Sequence, residues 1–383
     1  MEHILWQFMF AEDGKFSWTM CRIPTVANGA PGCMCFDEYR TGQVRCVNGC
    51  RELDDYLKYR AFVALPPCQN PRTGTILLPG ELNNKKLVST DAGKKFVRSI
   101  FQGVWCVVDD GKYFRGTITE ANIYVSRDGS AKFHNLEITD EGNHAQRVAR
   151  RRRNYTEVCT IAKTKFAQAA ASLGYTDPND IPSDIRLLFH RVMNDKALYN
   201  IGLYHIHISL VPIGVGMLAF FKIDDHLLTT IPKATRDTIL DNLYAECPEI
   251  FGKDQNHVLN WVNEARMNTL LNDIYCHIFA NYVADEGNIC KKQDIRPHDL
   301  KLKRGTIEYK ILVKRTEVAL FLDFLRNRTA HRMQSWILVQ NEYTPEDADL
   351  VCLLKFRDFL VKVQWLLWRF NMLDRVNFSA IFV

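Results

Sequence analysis

The stretch "FLDFLRNRTAH", residues 321–331, puts Asp323, Arg326, Asn327 and His331 within nine positions of an otherwise apolar segment. Such a set fits metal-free RNA cleavage, in which the ribose 2′-hydroxyl attacks, a cation stabilises the crowded phosphorane and an acid protonates the departing 5′-oxygen. Arg326 supplies a forked, charge-assisted phosphate contact. His331, with an ordinary pKa near neutrality, supplies the proton. Asn327 and His331 are four apart and share a helical face, with Asp323 one turn earlier, so Asn327 can orient the imidazole or the phosphate and Asp323 can bond Asn327 or balance Arg326. The competing reading is a solvated helix end whose cations complement the macrodipole.

Two other clusters carry possible chemistry. Cys33, Cys35, Cys46 and Cys50 could converge on a structural zinc ion, although the spacing lacks a CxxC pair and also suits scattered thiols in a loop-rich region. The basic run Arg147, Arg150, Arg151, Arg152 and Arg153 suits an RNA backbone, an acidic ligand, a nuclear localisation signal or a solvated loop. Lys and Arg exceed Asp and Glu only by 49 to 44, so net charge does not by itself point to nucleic acid. The twelve cysteines are spread along a chain whose start is a poor secretory signal, which predicts reduced intracellular thiols.

The elements that must hold these residues can be read from periodicity. Phe96, Ile100, Val104 and Val107 predict an amphipathic helix over 90–108, capped by Ser89 or Thr90. Asp128 and Gly129 predict the turn of a β-hairpin between two short β-rich runs. A basic run then leads into a helix ending near Gly174. From about 182 nearly every segment reads as helix, including one long helix over 257–283, which predicts an all-α second half. Thr344, Pro345 and Asp347 form a capping signature for the last helix, in which Trp365 and Trp368 read as core. The apolar stretch 204–221, interrupted by His205, His207 and Pro212, reads as buried core and not as a membrane span.

Residues 115–138 resemble the catalytic and metal loops of protein kinases. Asn122 matches the loop's asparagine, whereas Arg115, Gly116 and Thr117 stand at the HRD positions and Asn135, Leu136 and Glu137 at the DFG positions. Thr117 is no base near neutral pH and Asn135 lacks the charge that fixes magnesium. The resemblance therefore implies a degenerate pseudokinase and not an active protein kinase. Arg326, Asn327 and His331 match the RNxxxH signature of the kinase-extension nucleases, the family of RNase L and the inositol-requiring kinase/endoribonuclease of the unfolded-protein response. His207, Phe220, the Asp224/Asp225 pair, Phe356 and Phe359 follow that family's spacing.

The resemblance implies an α+β chain. Residues 1–80 form a Cys/Gly-rich region, 81–205 a degenerate kinase-like lobe, 206–372 an all-α kinase-extension nuclease domain and 373–383 a tail. It implies a metal-independent endoribonuclease that leaves a 2′,3′-cyclic phosphate and works as a homodimer or with related proteins, without a membrane, in the cytoplasm or nucleus. No cofactor is expected for cleavage, and nucleotide binding by the kinase-like lobe stays open. Catalysis falls to His331, Arg326 and Asn327, with Asp323 and Tyr309 in support and Arg150, Arg151, Arg152 and Arg153 on the RNA. Val313 stands where the stress-response members carry a tyrosine base. Tyr309, Lys314 and Arg315 are the nearby substitutes, and an inactive, dimerising regulator is the alternative function.

Overall fold

The computed structural model describes residues 50–69, 74, 76–78, 87–133, 136–177, 179–195, 199–255, 258–268, 270–272, 275, 282–285, 288–291, 307–330 and 343–373. These residues are 65% helical with a few small antiparallel sheets, an α+β arrangement in which no kinase-like or nuclease domain is identified. The chain divides into two compact units. One comprises 1–63, 92–181 and 186–205, and the other 64–91, 182–185 and 206–383.

In the first unit the strands β1 (Arg51–Glu52), β2 (Tyr113–Phe114), β3 (Ile123–Val125), β4 (Ala131–Phe133) and β5 (Ile138–Thr139) accompany two long helices, α1 (Asp91–Asp109) and α2 (His144–Ala171). The hairpin β3–β4 pairs Ile123 with Phe133 and Val125 with Ala131. Its turn uses Gly129 at φ +88°, a conformation open to glycine without cost. Asp128 locks that turn by accepting from the Ser126 and Ser130 hydroxyls. Burial raises the Asp128 carboxyl, but these bonds and Lys95 outweigh it and hold the group down at about 2.

Helix α1 buries Phe96, Val97, Ile100, Phe101, Val104, Val107 and Val108, the stripe expected of a 3.6-residue repeat. Phe62 stacks on Phe96 at 4.9 Å and meets Phe166 of α2 at 5.4 Å. Gly93 permits this approach, since a Cβ there would lie 2.7 Å from the Phe62 carbonyl oxygen and 2.9 Å from the Phe166 ring. Ser99 ties α1 to the hairpin by accepting from the Ala131 amide at 2.8 Å. Asn154, buried on α2, accepts from the Phe114 amide at 2.8 Å and donates to its carbonyl at 3.2 Å, completing the pairing of β2. The Lys165 ammonium is buried between the more exposed carboxylates of Asp54 and Glu120, each 2.6 Å away.

The basic run is helical, not an open segment. Asn143 and Gln146 form a reciprocal capping box that starts α2 immediately before it.

The second unit contains the helices α4 (Gly216–Thr229), α5 (Lys233–Glu246), α6 (Asn260–Met267), α7 (Ile307–Ala330) and α8 (Pro345–Arg369). A further helix, α3 (Ser183–Asn194), precedes them, with residues 183–185 in this unit and the rest in the first. The second unit's core is an aromatic cluster centred on Phe321 of α7. That ring meets Phe359 at 4.8 Å, Phe356 at 5.0 Å, Trp261 at 5.2 Å and Phe251 at 5.8 Å. Quadrupole complementarity favours these mostly edge-to-face contacts. Arg315 clamps α7 to α5 through a two-pronged contact to Asp241 at 2.6 and 2.7 Å and a bond to Asp237 at 3.0 Å. Helix α8 begins on the expected capping box, with Thr344 accepting from the Asp347 amide at 3.1 Å and Pro345 in the first position.

Two expectations for this half are corrected. The stretch 257–283 is not one helix, because α6 ends at Asn268, whose backbone is extended. The Asn268 side chain donates to the Leu77 carbonyl at 2.7 Å and accepts from the Leu271 amide at 3.1 Å, partners that compete with helix continuation. Nor is the half all-α, since β6 (Tyr282–Asp285) and β7 (Asn288–Lys291) form an antiparallel hairpin. Among the described residues no single helix is long and apolar enough to cross a membrane. The apolar stretch 204–221 is broken at Pro212, and Trp365 and Trp368 are half-buried.

Candidate functional site

Helix α7 carries Asp323, Arg326 and Asn327. Val318, Phe321, Leu322, Phe324 and Leu325 are buried, so one broad face of the helix is packed. Asp323 and Arg326 lie on its partly open side, with side chains 26% and 43% exposed. Their closest approach is 3.8 Å, one turn apart, an ion pair that is loose by hydrogen-bond standards. A guanidinium held this way keeps its donors available for a phosphate. Asn327 follows on the same helix, described in its backbone alone, and His331 lies outside the described residues.

Asp224 lies on α4, a helix packed against α7. Asp224 is fully buried, and neither carboxylate oxygen has a hydrogen-bond partner among the described residues. Burial pushes its carboxyl up to about 7. Arg326 opposes that shift, while Asp323 and Asp225 add to it. A lone buried carboxyl normally prefers its neutral form, and an adjacent cation recovers part of the cost of ionising it. Asp225, one residue on, is exposed. In the sequence the Asp224/Asp225 pair is a spacing match only, and nothing in it assigns either residue to the site.

The residues offered as substitutes for the missing base are carried away along the same helix. Tyr309 is seventeen residues before Arg326, about 25 Å at 1.5 Å per residue, and Lys314 and Arg315 are about 18 and 16 Å away along the axis. Arg315 is committed to Asp237 and Asp241, and the Lys314 ammonium lies 5.2 Å from the centre of the Tyr244 ring. A groove lined by Asp241, Tyr244, Phe251, Gly252, Lys253 and Lys314 adjoins them. Its aromatic surface is already taken, because Phe251 stacks on Tyr244 at 5.6 Å and Lys314 lies over that same ring.

In the first unit the kinase-like positions have structural partners. Thr117 accepts from the Arg153 guanidinium. Asn122 accepts from the Thr119 amide at 2.9 Å and hydroxyl at 2.8 Å, capping the turn Glu120–Asn122. Glu137 pairs with Arg115 at 3.1 Å, and Asn135 lies outside the described residues. Of the arginines, Arg151 donates to the carbonyls of Gly111 and Lys112, and Arg153 pairs with Glu157 at 2.7 Å. Arg150 is exposed and Arg152 half-buried, with no carboxylate partner among the described residues.

Of the four cysteines considered for zinc, only Cys50 is described, and no group of three His, Cys, Asp or Glu among the described residues could hold a metal ion. Cys106, Cys159, Cys247 and Cys352 are buried, and burial pushes the Cys159 and Cys247 thiols up to about 12, away from thiolate chemistry.

No family model, curated protein or solved structure matches the chain.

Proposed function

We propose that this protein is a metal-independent endoribonuclease, resembling the kinase-extension nucleases, in which a degenerate kinase-like part has no phosphotransfer role. Arg326 clamps the scissile phosphate, Asn327 orients it, and His331 protonates the 5′-oxygen as the 2′-hydroxyl attacks. Products carry a 2′,3′-cyclic phosphate. Of the four arginines Arg150–Arg153, Arg150 and Arg152 contact the RNA backbone, Arg151 and Arg153 being held by intrachain partners, and the active species is a dimer in the cytoplasm or nucleus.

The observation that supports this most is the partly open, loosely paired guanidinium of Arg326, one residue before Asn327 on a well-packed helix. Incubating a labelled hairpin RNA with purified protein over a concentration series tests it. Cleavage rising more steeply than linearly, and lost in Arg326→Ala and His331→Ala, is expected. Cleavage unaffected by either substitution overturns the assignment.

The second reading, an inactive regulator that dimerises with active relatives, draws on the same helix. Tyr309 and Lys314 lie far from Arg326 along its axis, and Val313 occupies the family's tyrosine position. A protein that self-associates yet never cleaves fits this reading.

A further inference from the structure

The nuclease assignment makes no use of the groove beside α5 and α7. Its volume is about 510 Å³, within the range of roughly 300–1,000 Å³ usual for small-molecule sites. Helix α5 contributes Asp241, Tyr244 and Ala245 to the lining and α7 contributes Lys314. Pro248 and Phe251 come from the short helix Pro248–Phe251, which Lys253 follows closely.

Three charged residues line the groove, and they differ in what holds them. Asp241 turns both carboxylate oxygens to the Arg315 guanidinium, at 2.6 and 2.7 Å. The Lys253 ammonium lies 2.8 Å from Glu317, whose side chain is almost wholly buried. Lys314 is exposed, and its ammonium lies over the Tyr244 ring, 5.2 Å from the centre, with no carboxylate partner among the described residues. A ring face holds an exposed cation only weakly and leaves its charge uncompensated. The groove therefore presents one available positive charge, at Lys314.

The apolar surface beside that charge is aliphatic. Tyr244 and Phe251 stack on each other and Tyr244 also carries Lys314, which disfavours a stacked nucleobase. Ala245 and Pro248 are exposed and stay open to a ligand. We infer that this groove binds a small organic monoanion with an aliphatic body, its carboxylate on the Lys314 ammonium and its chain along Ala245 and Pro248. On binding, the ammonium exchanges a weak contact with a ring for a charge-assisted hydrogen bond, and the chain removes apolar area from water. The inference stands apart from the nuclease reading, since Lys314 is about 18 Å from Arg326 along α7.

Isothermal titration calorimetry on the full chain tests this with octanoate and its neutral analogue octanamide. Wild type is expected to bind one octanoate and to bind octanamide about tenfold more weakly, as for the loss of one charge-assisted contact. Lys314→Gln is expected to bring octanoate down to the octanamide level and to leave octanamide unchanged, whereas Lys314→Arg keeps the preference. Ala245→Phe, at an exposed helical position, fills the groove and weakens both ligands. Wild type that takes up no octanoate at millimolar concentration overturns the proposal, as does octanoate binding left unmoved by either Lys314→Gln or Ala245→Phe. Equal wild-type affinities for octanoate and octanamide overturn it too, because the groove would then be apolar surface without selection for charge.

Discussion

Replacing Asp224 by Asn should make the two proteins exchange rank in stability as pH rises. A free aspartate titrates near 3.8, whereas burial lifts Asp224 to about 7 in the folded protein. Between those values the folded state holds a proton that the unfolded chain releases. The wild-type contribution is thus fully present below about pH 4 and lost as pH rises through about 7. A displacement of about three units at 1.36 kcal/mol per unit corresponds to about 4 kcal/mol. Asn is nearly isosteric and does not titrate, but its buried amide costs about 1–3 kcal/mol where it finds no partner. Asp224→Asn is therefore less stable than wild type at pH 4.5 and more stable at pH 8. Urea unfolding at half-unit intervals of pH measures this, since the other titrating groups are common to both proteins and cancel in the difference. Curves that run parallel over the whole range would refute the account of Asp224 as a buried, unpaired acid.

Three further substitutions test the packing within the two units. Gly93→Ala gains about 1 kcal/mol of helix propensity but drives a methyl into the Phe62 carbonyl and the Phe166 ring, so a net loss of about 1–2 kcal/mol in urea unfolding is expected. Phe321→Ala empties the centre of the aromatic cluster beneath Asp323, and a loss of about 3–5 kcal/mol should appear in the same assay. Arg315→Lys keeps the charge but not the fork that grips Asp241, and a loss of about 1–2 kcal/mol that changes little with salt distinguishes a geometric clamp from simple attraction.

Where local sequence decides local structure, the chain was readable. The Phe96, Ile100, Val104 and Val107 repeat marks α1, the Asp128–Gly129 turn marks the hairpin, and Thr344, Pro345 and Asp347 mark the start of α8. The capping box at Asn143 and Gln146 was equally local, and it would have placed the arginine run inside a helix. The break at Asn268 was not legible, because its partner carbonyl on Leu77 is 191 residues away in sequence.

The candidate site divides in the same way. Asp323, Arg326 and Asn327 fall on one helix as their spacing requires, whereas the length of that helix removes Tyr309 from Arg326. Asp224 and Asp225 are chemically identical neighbours in an apolar run. Only their 100° separation around α4 makes one buried and the other exposed.

The central claim is a cleavage chemistry that needs Arg326 and His331 and no metal ion, and the ends of the RNA products report on it most directly. With hairpin RNA in EDTA, the account predicts 5′-hydroxyl and 2′,3′-cyclic phosphate ends from the wild type and neither from Arg326→Ala or His331→Ala. Wild-type protein that self-associates but leaves the RNA intact at every concentration, or products ending in 5′-phosphate, would contradict it.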